Sequence, residues 1–396
     1  MTYRRLEEAS LAGARALVRV DFNVPMKDGE VSDDTRLRAA LPTIRRLCEV
    51  GARVILLSHF DRPKGRPVAS MSLAPVTAPL AALLGVPVTF CADCVGESAD
   101  RAVAAMQPGE VLLLENLRFH PGEEANDAGF AAALAANGDL FVNDAFSAAH
   151  RAHASTEALA HLLPAYPGDS MRRELDALDS ALGSPRRPVL GIVGGAKVST
   201  KLDLLNNLIV RLDTLAIGGA MANTFLLAQG VDVGASLVEP DLVATATSIM
   251  AKSKDAGCEL LLPVDAVTAQ TLAPGVRTFD RNLDAIGADE RILDAGPRTL
   301  ARLIHAMENS RTLIWNGPLG VFEVPPFDAA TSAAAQRAGA LASAGALVAV
   351  AGGGDTVAAF NHARVCDQFS FVSTAGGAFL EWMEGKTLPG VAALQV

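Results

Sequence analysis

Cysteine is scarce in this chain: five of 396 residues, at positions 48, 91, 94, 258 and 366. So few thiols, odd in number, make no disulfide framework, which points to a reducing compartment and a cytoplasmic protein. Surplus positive charge is missing too. Thirty-four basic side chains stand against 44 acidic ones, a formal charge of −10. The deficit is even, with 16 basic and 21 acidic side chains in residues 1–170 and 18 and 23 in the remainder. Without a basic arm or stripe, the composition argues against a nucleic-acid partner. Apolar stretches such as 341–351 stop well short of the roughly 20 residues that span a membrane. The opening MTYRRLEEAS lacks the apolar core of a signal peptide. No repeat with a period of about 20–50 residues appears, so a solenoid is not expected. These absences leave a soluble, acidic chain long enough for two or three domains.

What is present is alternation. Short β-branched or leucine-rich runs fall at 16–20, 53–57, 111–114, 140–142, 189–193, 214–217, 259–262, 312–315, 347–350 and 370–372. Several are continuously apolar, as strands are when helices cover both faces of a parallel sheet. Helical periods lie between them. Leu37, Leu41, Ile44 and Cys48 repeat behind the Asp33/Asp34 start signal, with Pro42 inside the pattern. Residues 170–182 read as another helix, with Met171, Leu175, Leu178 and Leu182 on one side. Pro164, Pro167 and Gly168 precede it, and Gly183, Pro185 and Pro188 follow it. The pattern predicts an α/β protein: two doubly wound parallel-sheet domains joined by a helical hinge.

In such sheets ligands bind beyond the carboxyl ends of the strands. The first strand runs into Asp21-Phe22-Asn23, with Arg36 shortly after, and the second into Ser58-His59-Phe60-Asp61-Arg62. The third runs into Glu115-Asn116-Leu117-Arg118-Phe119-His120, and the fourth into Asn143-Asp144 and then His150-Arg151-Ala152-His153. Guanidinium forks bind phosphate and carboxylate bidentately, so Arg36, Arg62, Arg118 and Arg151 together suit a small polyanion. Asp21 and Asn23 suit a hydroxyl of the same ligand. Any one of these arginines alone is as well explained by a surface ion pair, and each histidine by a structural hydrogen bond.

The second half is different. The strand at 189–193 opens into Gly194-Gly195-Ala196-Lys197-Val198-Ser199-Thr200-Lys201. Paired glycines let backbone N–H groups approach an anion, and Lys197 and Lys201 would share a face if helical. This is neither a Walker A loop nor Gly-x-Gly-x-x-Gly. Gly352-Gly353-Gly354-Asp355-Thr356 is a second glycine turn at a helix start, where Asp355 either caps the helix or ligates Mg²⁺. Trp315-Asn316-Gly317-Pro318-Leu319-Gly320-Val321-Phe322-Glu323 ends in a carboxylate suited to sugar hydroxyls. Cys91-x-x-Cys94 has no second cysteine pair and no histidine at zinc-finger spacing, so it reads as two ordinary thiols. A nicotinamide dehydrogenase would share the alternation, but its fingerprint does not occur in the right context.

Together these segments resemble phosphoglycerate kinases over essentially the whole chain. The matching stretches are 18–25, 115–120, 149–155, 194–201, 315–323 and 352–356. The resemblance implies a monomeric, hinge-bending enzyme that interconverts 1,3-bisphosphoglycerate plus ADP and 3-phosphoglycerate plus ATP. It implies a phosphoglycerate-binding domain at 1–168, a connecting helix and hinge at 169–185, and a nucleotide-binding domain at 186–383. The segment 384–396 is expected to pack back on the first domain. By motif position Asp21, Phe22, Asn23, Arg36, His59, Phe60, Asp61, Arg62, Arg118 and Arg151 bind phosphoglycerate. Lys201, Glu323, Gly353, Gly354, Asp355 and Thr356 hold the nucleotide, with Asp355 on its Mg²⁺. Arg36 and Lys197 meet the transferring phosphoryl group. Three positions depart from the family pattern: Asp61 and Ala375 stand where glycine is usual, and Phe379 replaces a small polar residue.

Overall fold

The computed structural model describes residues 3–396. They form two units, one running up to Leu175 and including Thr387–Val396, the other Asp176–Lys386. Each is built on a six-stranded parallel sheet.

In the first unit the strands of this sheet are β1 (Arg15–Arg19), β2 (Arg53–Leu57), β3 (Val88–Cys91), β4 (Val111–Leu114), β5 (Leu140–Asn143) and β6 (Ala165–Pro167). Their order is β3-β4-β2-β1-β5-β6. β4 and β5 are buried at every residue, as the continuous apolar runs require. Helix α1 (Thr35–Glu49) buries Leu37, Leu41 and Ile44 against this sheet's core and carries Pro42 in its interior. The edge strands β3 and β6 are absent from the sequence reading for a physical reason. β3 is half exposed and β6 is three residues ending in proline, so neither shows an apolar run. The chain's last segment returns to this unit: Gly390 N–H donates to Ala149 O at 2.9 Å.

Helix α2 (Asp169–Leu178) follows and ends in a π-helical turn, Asp179–Gly183. The second unit contains β7 (Val189–Val193), β8 (Thr214–Ile217) and β9 (Glu259–Leu261). Then come β10 (Asp265–Ala269), β11 (Phe279–Asn282), β12 (Arg291–Ala295), β13 (Thr312–Asn316), β14 (Val348–Gly352) and β15 (Phe371–Ser373). The parallel order is β9-β8-β7-β13-β14-β15, so strand order reverses between β7 and β13. In the first unit it reverses between β1 and β5. Ligand sites are expected at both switch points.

The sequence pattern does not anticipate the antiparallel sheet β11-β10-β12. Its strands bury polar groups in place of alternating apolar ones: Asp265, Thr268, Glu290 beside β12, and Asp294. Arg281 on β11 pairs with Glu290 at 2.5 Å. Buried polar side chains at strand positions such as Asp265, Thr268 and Asp294 weaken the period-two apolar signal on which strand recognition rests. Among the described residues no helix is long and apolar enough to cross a membrane.

Candidate functional site

In the first unit the loops after β1, β2, β4 and β5 meet. Arg36 Nη1 donates to both oxygens of Asp21, at 3.0 and 2.9 Å, and to Asn23 O at 2.9 Å. The Ser147 hydroxyl and the Asn23 N–H also donate to Asp21. Asn23 Oδ1 accepts the Asp61 N–H at 3.0 Å, and Arg118 Nη1 donates to Asp61 O at 2.8 Å. Arg151 Nε donates to His150 at 3.2 Å. Arg62 is exposed and has no hydrogen bond or ion pair among the described residues. Asp21, Asn23, Arg36, Asp61 and Arg118 are thus tied into one group.

The local field is positive. Burial, then the charges of Arg118, Arg19 and Arg151, push His153 down to about 4. Burial and Arg19 drive His59 well below its usual range as well. Both imidazoles are therefore neutral near pH 7, chiefly because they are buried and secondarily because arginines lie close by. Asp21 goes the other way. Burial opposes its ionisation, but His59 when protonated, Arg36 and the hydrogen bonds from Ser147 and Asn23 outweigh that and lower it.

Beneath this group lies a layer that motif reading missed. Arg19 on β1 is fully buried; its Nε donates to Ser155 Oγ at 2.8 Å and its Nη2 lies 3.0 Å from His59 Nδ1. Ser155 in turn donates to Glu123, through Oγ at 2.6 Å and N–H at 3.0 Å. Glu123 is fully buried, and His153 Nδ1 is 3.9 Å from it. A charge of each sign is thus held in the core and linked through one hydroxyl, a combination tolerated only when hydrogen-bonded. Arg19 and Ser155 lie within the stretches 18–25 and 149–155, but nothing in their spacing announces a shared partner at Glu123.

The second unit assembles its site from backbone. Gly194, Gly195, Gly219 and Gly317 approach so closely that a Cβ on Gly194 would lie 1.9 Å from Pro318 O, and one on Gly219 would lie 2.6 Å from Gly195 O. Gly353 has φ +100° and a Cβ there would meet Asn316 Nδ2 at 2.5 Å, so only glycine fits. Asn316 is the organiser. It accepts from the Lys201 ammonium and donates to Gly352 O at 2.8 Å. Burial lowers the Lys201 pKa, with Asp355 and Glu384 pulling the other way. A cavity of about 660 Å³ opens beside these loops, lined by Gly195, Leu237, Leu319, Glu323 and Asp355 among others. That is the size of a small-molecule site.

Several expectations are corrected. Lys197 and Lys201 do not share a helix face. Each precedes a helical turn, Val198–Thr200 and α3 (Leu202–Ile209) respectively, and Lys197 is extended and exposed. Phe22 and Phe60 are core residues, 0% and 8% exposed, and their backbone groups are held by Ser58, Val24 and Asn116, so they shape the site from beneath rather than contact a ligand. The Thr356 hydroxyl accepts the Gly317 N–H at 2.7 Å, which leaves its own N–H at the start of α4 (Gly354–Ala363). Asp355 does not cap that helix, whose N-cap is Gly353. Its exposed carboxylate is an oxygen donor of the kind Mg²⁺ takes.

The departures from the family pattern also find their reasons. Asp61 has φ +53°, the region that favours glycine and that aspartate tolerates better than most residues. Ala375 has no positive φ and fits without strain. Phe379 is fully buried and packs against Gly352, where a Cβ would lie 2.6 Å from its ring.

With this geometry in place, the comparisons are specific. The family model for phosphoglycerate kinase matches residues 6–386. The phosphoglycerate kinase of Caulobacter vibrioides (strain NA1000 / CB15N) is 70% identical over 395 residues, covering 100% of both chains. That of Rhizobium meliloti (strain 1021) is 59% identical, covering 100% of this chain and 99% of its own. The solved phosphoglycerate kinase from Coxiella burnetii superposes with TM-score 0.93 at 40% identity, over 99% of each chain. The one from Pyrococcus horikoshii OT3 superposes with TM-score 0.80 at 30% identity, over 99% and 98%. The glycine turns and the guanidinium cluster therefore sit in a chain that belongs to the phosphoglycerate kinase family.

Proposed function

We propose that this chain performs its family's phosphotransfer by direct, in-line transfer between phosphoglycerate held on the first unit and nucleotide held on the second. The reaction is the reversible conversion of 1,3-bisphosphoglycerate and ADP into 3-phosphoglycerate and ATP. The guanidinium cluster around Asp21 and Asn23 carries the assignment of the acceptor site. Asp21 and Asn23 would take the ligand hydroxyl, and Arg62, Arg118, Arg151 and His59 its phosphate. Arg36 and Lys197 would meet the transferring group, whose charge spreads over three equatorial oxygens in a loose transition state. Lys201 and the N–H groups of 353–356 would hold nucleotide phosphates, and Glu323 the ribose hydroxyls.

Asp355 would hold the Mg²⁺ of the nucleotide, which neutralises phosphate charge when bound. Neither set of residues would hold both reactants, so transfer would rely on a hinge at about 169–185. Closure would also keep water from an acyl phosphate. No serine or cysteine nucleophile enters this scheme. We place the enzyme in the cytoplasm as a monomer, consistent with five free thiols. A coupled assay with 3-phosphoglycerate and MgATP tests the reading: steady turnover is expected, and its absence overturns the enzyme assignment.

A further inference from the structure

Sequence spacing offers Cys94 no metal-binding partner, but the fold supplies two. Cys94 Sγ, an Asp93 carboxylate oxygen and an imidazole nitrogen of His120 all lie within 4.8 Å of one another. Asp93 and Cys94 occupy the turn after β3, and His120 directly follows the 3-10 turn Leu117–Phe119. Asp93 Oδ1 accepts the Cys94 N–H at 2.7 Å and lies 2.8 Å from His120 Nε2. The imidazole stacks on Phe130 with centroids 5.1 Å apart, which fixes the ring. Cys94 is 1% exposed, whereas the side chains of Asp93 and His120 are 44% and 31% exposed. The sulfur forms a floor, and the two other donors reach it from solvent.

We propose that Asp93, Cys94 and His120 form a binding site for a thiolate-binding divalent cation of the zinc type, with water completing a tetrahedron. One oxygen, one nitrogen and one sulfur donor suit a borderline-soft ion; Mg²⁺ and Ca²⁺ take oxygen donors. Tetrahedral zinc holds such atoms about 3.4–3.7 Å apart, so closure takes shifts of about 1 Å.

On binding, the Cys94 S–H bond breaks, an S–metal bond forms and the proton passes to solvent. His120 coordinates through the Nε2 lone pair, with its ring proton on Nδ1, and the hydrogen bond between Nε2 and Asp93 gives way to two metal bonds. Without a cation the thiol stays protonated, because burial and the Asp93 charge push it well above its usual range. Occupancy would link the turn after β3 to the segment carrying Arg118, two residues before His120. The cation site itself does not depend on the phosphotransfer assignment.

The test uses the full-length, nucleotide-free enzyme titrated with Zn²⁺ against a chromophoric chelator, in excess Mg²⁺ to occupy oxygen-only sites. One zinc per chain is expected. Co²⁺ in its place should give a thiolate-to-cobalt charge-transfer band and the strong visible bands of tetrahedral coordination. His120→Ala and Asp93→Asn, both near the surface, should each weaken zinc binding by at least about 10–100-fold, the loss that removing an outer-shell partner already causes. Cys94→Ser should abolish the charge-transfer band. Zinc affinity unchanged in both surface variants, or a band that persists in Cys94→Ser, overturns the site. If Cys94→Ser fails to fold, the two surface variants decide.

Discussion

In the first unit the proposed anion site is made of charged side chains. Arg36 rests on Asp21, Arg118 reaches Asp61 O and lies 3.3 Å from Glu124, and Arg19 is linked through Ser155 to Glu123 in the core. In the second unit it is made of backbone. Glycine turns pack against one another, one lysine rests on a neutral asparagine, and the exposed carboxylates of Glu323 and Asp355 border a cavity. The contrast has a physical cause. Converging guanidinium groups repel each other in a low-dielectric setting and need counter-charges beneath them. Backbone N–H dipoles need none; they need close approach, which a Cβ would block. A side-chain site therefore depends on a buried ionic layer, and a backbone site depends on glycine.

The largest effect should come from removing that layer. Glu123→Ala removes the main counter-charge of buried Arg19, leaving only Asp21, and should cost about 3–5 kcal/mol in urea unfolding. A loss below 1 kcal/mol would mean that the first unit's site needs no ionic support, and the contrast with the second would collapse. Next, Lys197→Ala should lower turnover about 10²–10³-fold, the scale of losing one transition-state donor, with far less change in ADP dissociation. Weakened ADP binding at near-normal turnover would instead make Lys197 a ground-state nucleotide ligand.

A smaller effect tests where the two units are alike. Each buries, at a helix start, a carboxylate whose proton the fold retains. Asp144 accepts from Ser170 and Met171 at 2.8 and 3.0 Å, and Asp294 accepts from Ala330 and Ala295 at 2.8 and 2.9 Å. Burial raises both to about 7. Each thus keeps a proton in the folded chain that an unfolded chain releases near pH 4. Their contribution to stability is full below about pH 4 and is lost as pH rises to about 7. Urea midpoints should fall over that range, and the double variant Asp144→Asn, Asp294→Asn should fall less steeply. Equal slopes would show that neither carboxylate is protonated in the fold.

Smallest of all, Asp61→Gly relieves a positive φ and removes a carboxylate beside the guanidinium cluster. It should tighten 3-phosphoglycerate binding by up to about fivefold, the range of one exposed charge interaction. An unchanged dissociation constant in calorimetry would place Asp61 outside the ligand's field.

Much of the architecture was legible because it is local. Buried parallel strands must be continuously apolar, and the core strands at 53–57, 111–114, 189–193 and 214–217 coincide with their sequence runs. Glycine turns are legible for the same reason, since no other residue satisfies Gly353. The antiparallel sheet was not legible, because its strands bury Asp265, Thr268 and Asp294 at positions where the pattern calls for apolar side chains.

The amino-acid sequence by itself thus determined the alternation of elements, the family and the residues at the strand ends, all of which depend on neighbours in the chain. Tertiary structure alone decided which groups share a partner. It placed Glu123 under Arg19, turned Phe22 and Phe60 inward, kept Lys197 out of a helix, and brought His120 to Cys94. Such pairings join residues tens to more than a hundred positions apart. Their strength lies in burial and short distance, and neither quantity is written in the order of residues.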